Sequence, residues 1–305
     1  MPPVLSKLAA AAALLLLGGC AAQAGASERG TEVVTAFYPL QYLAQRIGGS
    51  DVTVTDLTKP GAEPHDLELS PRQVGRIVDA DLVVYLDGFQ PAVDQAVAQE
   101  AQGRAFDVGT AVALLPAEEH DHEPGEEEHA EAGEGADPHV WLDPVRYATI
   151  ADALAAQIAK RDAAHATVYA QRAAQVKTEL EALDAEYQAK LSSCERREIV
   201  TSHAAFHYLA DRYGLTEVGI TGISPEAEPS PQRLAHVAEE ARATGTTTIF
   251  FETLVSPKVA DTIAEEVGAR TAVLDPLEGA EDGEDYFTIM RANLTALTTA
   301  LGCAS

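Results

Sequence analysis

The sequence is poor in aromatic residues, basic residues and cysteine, and each shortage narrows what it can be. Aromatics make up 6% of 305 residues, with a single Trp, while Ala is abundant. That balance suits a helix-rich α/β protein better than an all-β one. Lys and Arg number 21 against 48 Asp and Glu, a formal charge of −27. No Lys/Arg cluster is present to neutralise phosphates, which argues against nucleic acid, and a cationic ligand fits the field better than an anionic one. Long apolar runs are also missing. The one from Leu8 to Leu17 is too short for a comfortable membrane span. What remains is an apolar fraction of 46%, enough to core two ordinary domains and to exclude a disordered or fibrous chain.

The N-terminus reads as an export signal: Lys7, the short apolar run, then Gly18 and Gly19 before Cys20. Leu17-Gly18-Gly19-Cys20 resembles the bacterial lipobox, in which the Cys becomes the lipid-bearing first residue. A plain cleaved secretion signal is the alternative. Residues 1–19 are thus read as a lipoprotein signal peptide and 20–30 as a small, polar tether. Lipidation of Cys20 leaves Cys194 and Cys303. An even pair in an exported protein is expected to form a disulfide, here tying the end of a central helix to the C-terminus. Two buried free thiols are the alternative.

Short β-type runs alternate with helical patterns in both halves, the signature of parallel sheets covered by helices. They are Glu32–Phe37, Val52–Leu57 and Asp81–Leu86, then Glu198–Ser202, Glu217–Thr221, Thr247–Phe251 and Thr271–Leu274. Ser70-Pro71, Asp143-Pro144, Ser230-Pro231 and Ser256-Pro257 each place a capping oxygen before a Pro that can open a helix. Between the halves a helical region from Val145 to about Ser192 breaks near Arg161–Ala164, where Asp162 can cap a second segment. That segment carries Val176, Leu180, Leu183, Tyr187 and Leu191 at helical spacing and would span roughly 45 Å as a strut. The expected organisation is an N-terminal lobe at 31–145, a helical connector at 146–193 and a C-terminal lobe at 194–305. Residues 117–136 belong to neither lobe. Nearly devoid of apolar side chains, they are expected to form an acidic His-containing loop.

Four ionisable residues stand out on this outline. His65 lies in the Pro- and Gly-punctuated Pro60-Gly61-Ala62-Glu63-Pro64-His65-Asp66, His203 directly follows a strand, and Asp275 directly follows another, before Pro276. Loops beyond the C-terminal ends of parallel strands are where open α/β sheets bind ligands. His139 stands in Asp137-Pro138-His139-Val140-Trp141-Leu142-Asp143-Pro144. Taken singly, each His reads as a hydrogen-bonded structural residue. Together, three neutral imidazoles and one carboxylate make a tetrahedral Zn²⁺ set. Four protein ligands leave no position for an activated water, which favours binding over hydrolysis. His203-Ala204-Ala205-Phe206-His207 has two His one turn apart like HExxH, but Ala204 stands where the catalytic Glu would be. His207 is read as a neighbour of the set. Glu228 and Glu252 are candidates to orient a ligand histidine through its far nitrogen, with capping or solvation as the alternative. His120, His122 and His129 could form a weak, fast-exchanging auxiliary metal set, or simply a solvated acidic linker.

At these residues the chain resembles the solute-binding proteins of zinc and manganese ABC importers, in particular the zinc-uptake branch. The motifs that carry the resemblance are Gly61–Asp66, Asp137–Pro144, Val200–Phe206, Ile223–Ser230, Phe251-Glu252 and Leu274-Asp275-Pro276-Leu277. The resemblance implies an α/β fold of two (β/α) lobes with parallel sheets joined by a long rigid helix, and one metal held in the interlobe cleft by His65, His139, His203 and Asp275. Manganese members tend to carry Glu where His203 stands. The function so implied is extracytoplasmic high-affinity capture of Zn²⁺, carried as cargo by a lipid-anchored monomer on the cell membrane and delivered to the permease of an ABC importer. A manganese-binding importer component, a zinc hydrolase using Asp275 as base, and a surface adhesin are the alternatives.

Overall fold

The computed structural model describes residues 30–117, 135–280 and 283–304. Cys20, the signal segment, the tether up to residue 29, and the loop histidines His120, His122 and His129 lie outside the described residues. The first lobe runs β1 (Thr31–Thr35), α1 (Tyr38–Gly48), β2 (Val52–Asp56), α2 (Pro71–Asp79), β3 (Leu82–Tyr85), α3 (Pro91–Glu100) and β4 (Ala105–Asp107). Two helices follow, α4 (Pro144–Arg161) and α5 (Ala166–Leu191). The second lobe runs β5 (Glu198–Thr201), α6 (His207–Tyr213), β6 (Thr216–Gly219), α7 (Pro231–Thr244), β7 (Thr248–Phe251), α8 (Lys258–Val267), β8 (Arg270–Val273) and α9 (Tyr286–Leu301).

Both sheets are wholly parallel and share one topology, β2-β1-β3-β4 and β6-β5-β7-β8. In each, the chain winds outward in opposite senses from the first strand. The crevice at that switch lies outside the C-terminal strand ends. The strands form because Val, Ile and Phe recur between helix caps, as in Leu82–Tyr85, whose first three residues are fully buried.

Helix starts follow the Ser-Pro and Asp-Pro pairs with one exception. Ser70 and Gln73 make a reciprocal capping box, Ser230 accepts from Arg233 N–H, and Asp143 accepts from Val145 and Arg146 N–H. At Ser256 the expectation fails. Pro257 itself takes the N-cap position of α8 and no side chain caps it. Asp162 also departs from its expected role: its carboxylate accepts from His165 Nδ1 and Tyr169 Oη, both at 2.6 Å, while a 3-10 turn rather than a cap precedes α5.

The connector breaks where the sequence indicates, and α4 packs along the longer α5 as a helical hairpin. Val176, Leu180, Leu183, Tyr187 and Leu191 are all buried, each worth roughly 1.5–3 kcal/mol in apolar area. Tyr187 Oη donates to Met290 O at 2.6 Å, locking α5 to α9. The core that includes the first sheet continues through α4 and α5 to α6 and α9, and a smaller cluster fills the rest of the second lobe. Cys194 and Cys303 form a disulfide that ties the end of α5 to the segment after α9. Among the described residues, no helix is long and apolar enough to cross a membrane.

Candidate metal centre

Three loops and one turn converge beyond the C-terminal strand ends. The loop after β2 turns at Gly61, whose φ of +75° suits a residue without Cβ, and brings His65 inward. Gln90 Nε2 fixes that loop by donating to Pro64 O at 3.0 Å and Thr58 Oγ1 at 3.1 Å. His139 precedes a 3-10 turn at Val140–Leu142. Just upstream, Pro116 and Ala136 form an antiparallel bridge, and Tyr208 Oη ties Asp137 O to Leu115 N–H. His203 leaves β5 in a tight segment fastened by Ala204 N–H to Gly222 O and by Phe206 N–H to the buried Glu217 carboxylate.

The imidazoles are oriented from behind by carboxylates. Asp137 Oδ1 accepts from both His139 N–H at 2.9 Å and His139 Nδ1 at 2.8 Å. Glu252, at the end of β7, accepts from His203 Nδ1 at 2.8 Å. With Nδ1 so engaged, Nε2 of each ring is aimed at the shared centre. Glu228, the other candidate for such a role, is exposed. His207 stands outside the group, its Nδ1 3.6 Å from Asp137 Oδ2.

His65, His139, His203 and Glu278 are all buried, and one donor atom from each lies within 4.8 Å of the others. Glu278 Oε1 is 3.1 Å from His65 Nε2, 3.2 Å from His139 Nε2 and 3.5 Å from His203 Nε2. A tetrahedron with the usual Zn–N and Zn–O bonds of about 2.0–2.1 Å has edges near 3.3 Å, so these separations fit such an ion. Asp275, expected from sequence as the fourth member, is not in the group. Its Oδ1 accepts from Leu277 N–H at 2.7 Å and its Oδ2 from Thr253 Oγ1 at 3.2 Å. The structure puts Glu278, three residues on, in that position. Leu277 between them has φ of +61°, a left-handed conformation that costs a residue with a Cβ about 1–2 kcal/mol.

Burial and the facing groups of opposite charge act against each other on these side chains. Burial alone would pull the His139 imidazole down, but the Asp137 and Glu278 carboxylates outweigh it and push it up to about 9. Burial likewise opposes the charged form of His203, yet Glu252 and Glu278 hold it well above the ordinary 6.5. Burial would raise Glu278, but the three imidazoles hold it well below the ordinary carboxylate range. Burial pushes Asp275 up to about 6, and the Glu278 and Glu252 carboxylates add to the rise.

The sign of the pH dependence follows. A raised imidazole stabilises the metal-free fold fully below pH 6.5, and for His139 that contribution is lost as pH rises through about 9. The lowered Glu278 carboxylate contributes above its ordinary value of 4.5 and is lost as pH falls below it. A divalent ion must displace the protons on His139 and His203, so binding at pH 7 is expected to release about two protons per ion and to tighten as pH rises. Calorimetric titration in buffers of different ionisation enthalpy measures that number. Release of none would mean that the two rings are neutral before binding.

A family model described as zinc-uptake complex component A, periplasmic (ZnuA), matches residues 33–300. The zinc-binding protein AdcA of Streptococcus pyogenes serotype M3 is 38% identical over 288 residues, covering 89% of this chain and 56% of AdcA. The chain thus spans little more than half the length of that relative. The high-affinity zinc uptake system protein ZnuA of Bacillus subtilis is 37% identical over 304 residues, 95% of each chain. The solved structure of the Zn(II)-bound ZnuA-like domain of Streptococcus pneumoniae AdcA has a TM-score of 0.74 at 32% identity, covering 90% of this chain and 99% of that one.

Proposed function

Because the chain belongs to the family of zinc-uptake complex component A, we propose that it is an extracytoplasmic zinc-binding protein that delivers Zn²⁺ to an ABC importer. The observation that carries this reading is the buried group His65, His139, His203 and Glu278, three imidazoles whose Nε2 atoms lie 3.1–3.5 Å from one Glu278 oxygen. His65 and His139 come from the first lobe and its exit loop, His203 and Glu278 from the second, so one ion would cross-link both halves. Three nitrogens and one oxygen suit zinc better than manganese, which prefers oxygen. Four protein donors fill the tetrahedron and leave no position for an activated water, which supports carriage rather than hydrolysis. All four come from one chain, so a monomer suffices. In this reading, lipidation of Cys20 holds the chain at the membrane, and docking on the permease shifts the donors and releases the ion.

The test is a competitive titration of the chelator-stripped chain with Zn²⁺ and Mn²⁺, run with and without residues 118–135 so that loop histidines are counted separately. The account expects one tight Zn²⁺ equivalent that survives the deletion and resists Mn²⁺. Weak zinc binding, or displacement by equimolar Mn²⁺, would contradict it. In the same assay Glu252→Gln, which weakens the hold on His203 Nδ1, is expected to lower zinc affinity by about 10- to 100-fold.

A further inference from the structure

The four residues between β8 and Glu278, Leu274 to Leu277, must turn the chain so that a carboxylate meets three imidazoles. They do so through the left-handed Leu277, whose side chain is fully buried. A single residue in that conformation needs its surroundings to hold it, and five hydrogen bonds converge here. Asp275 Oδ1 accepts from Leu277 N–H at 2.7 Å, across the turn. The Asn293 amide, buried on α9, clamps the backbone of Asp275 in both directions: Asp275 N–H donates to Asn293 Oδ1 at 2.9 Å and Asn293 Nδ2 donates to Asp275 O at 2.7 Å. Thr253 Oγ1 donates to Asp275 Oδ2 at 3.2 Å. Trp141 Nε1 donates to Pro276 O at 2.7 Å, joining the turn that follows His139 to the loop that carries Glu278.

We infer that Asp275 and Asn293 are positioning residues for Glu278: they form a brace that holds the Leu277 turn and thereby aims the Glu278 carboxylate at the three histidines. The inference rests on the zinc reading above. The Asp275 oxygens are taken up by Leu277 N–H and Thr253 Oγ1, and the residue acts on the ion only through the geometry of its neighbour. Asn293 suits this work because a side-chain amide presents a donor and an acceptor side by side, matching the backbone C=O and N–H of one residue. Both bonds vanish if the side chain is shortened. The Trp141 bond makes the brace common to two of the four donors, so the arm carrying His139 and the arm carrying Glu278 move together.

A double-mutant cycle on the full chain tests this, with Zn²⁺ affinity read by chelator competition and the Co²⁺-substituted protein read by visible absorption. Asp275→Ala is expected to weaken zinc by about 10- to 100-fold in the wild-type background. In the Glu278→Ala background it should weaken zinc by no more than about twofold, because the group it positions is gone. The Co²⁺ spectrum of Asp275→Ala should change in the direction that Glu278→Ala changes it. Asp275→Asn keeps a side-chain oxygen for Leu277 N–H and is expected to recover about tenfold of the loss. Asn293→Ser removes the clamp while leaving Asp275 in place and should show the same non-additivity, which keeps the test available if Asp275→Ala does not fold. A full additional loss in the Glu278→Ala background would overturn the inference in favour of direct contact between Asp275 and the ion. So would an Asp275→Ala chain that binds like wild type, or an Asn variant as weak as the Ala variant. If the wild-type chain bound no zinc, or Glu278→Ala bound as wild type does, the zinc reading itself would fail, which the cycle registers separately from the brace.

Discussion

Replacing His203 by alanine is expected to weaken Zn²⁺ binding by two to three orders of magnitude. Closed four-ligand zinc sites bind with about 10–16 kcal/mol near neutral pH, so one ligand in four is worth about 2.5–4 kcal/mol, or about 60- to 700-fold in Kd. The same change should also destabilise the metal-free fold. Glu252 Oε1 would keep only the Ser202 hydroxyl at 3.3 Å, and Glu278 would lose one of its three imidazole neighbours. Leaving a buried carboxylate short of partners costs about 1–3 kcal/mol. Chelator competition measures the first effect and thermal unfolding of the stripped protein the second. Retention of tight zinc by His203→Ala would remove His203 from the donor set and leave Glu278 as the one donor of the group from the second lobe.

Breaking the Cys194–Cys303 bridge is expected to cost stability without costing the metal. The two cysteines are 109 residues apart in sequence. Closing a loop of about that length is worth up to about 4.7 kcal/mol in the chain-entropy model, and about 2–4 kcal/mol is typical. Reduction, or Cys303→Ser, should therefore lower the melting temperature by roughly 3–7 °C for a protein of this size. Cys194 precedes β5 and so lies at its N-terminal end, whereas His203 lies beyond its C-terminal end. Zinc affinity at a temperature where both forms are folded should change by less than about threefold if distant sites act independently. An equal melting temperature in the reduced protein would show that α5 and α9 are held by their packing alone, including the Tyr187 bond to Met290.

Much of this architecture is written locally. Seven strands are legible because β-branched and aromatic residues cluster between Ser-Pro, Asp-Pro and Gly punctuation. The eighth, Ala105–Asp107, escapes because a three-residue edge strand with one buried side chain, Phe106, has no period to read. The histidines stand out for a similar reason, each following a strand or sitting in a punctuated loop. Glu278 does not. In a chain with 48 acidic residues, a carboxylate reveals itself only by where it is buried. Its burial depends on a left-handed Leu277 held by α9 and by Trp141, contacts that span 18 and 135 residues. Asp275 stands out in the sequence because it closes a β-type run and precedes a Pro, but in the fold Leu274 separates it from β8 and its Oδ1 accepts from Leu277 N–H. Asp137, two residues before His139, is a comparable omission. The signal available for it was the closeness of the two residues, which lets one carboxylate accept from both the backbone and the ring of the same histidine.

The most direct measurement is anomalous diffraction at the zinc absorption edge from crystals of the zinc-loaded chain. The account predicts one peak bonded to Nε2 of His65, His139 and His203 and to Oε1 of Glu278 at about 2.0–2.2 Å, with Asp275 still bonded to Leu277 N–H and no water on the ion. A peak bonded to Asp275 in place of Glu278, or an ion held by fewer than three of these histidines, would contradict it.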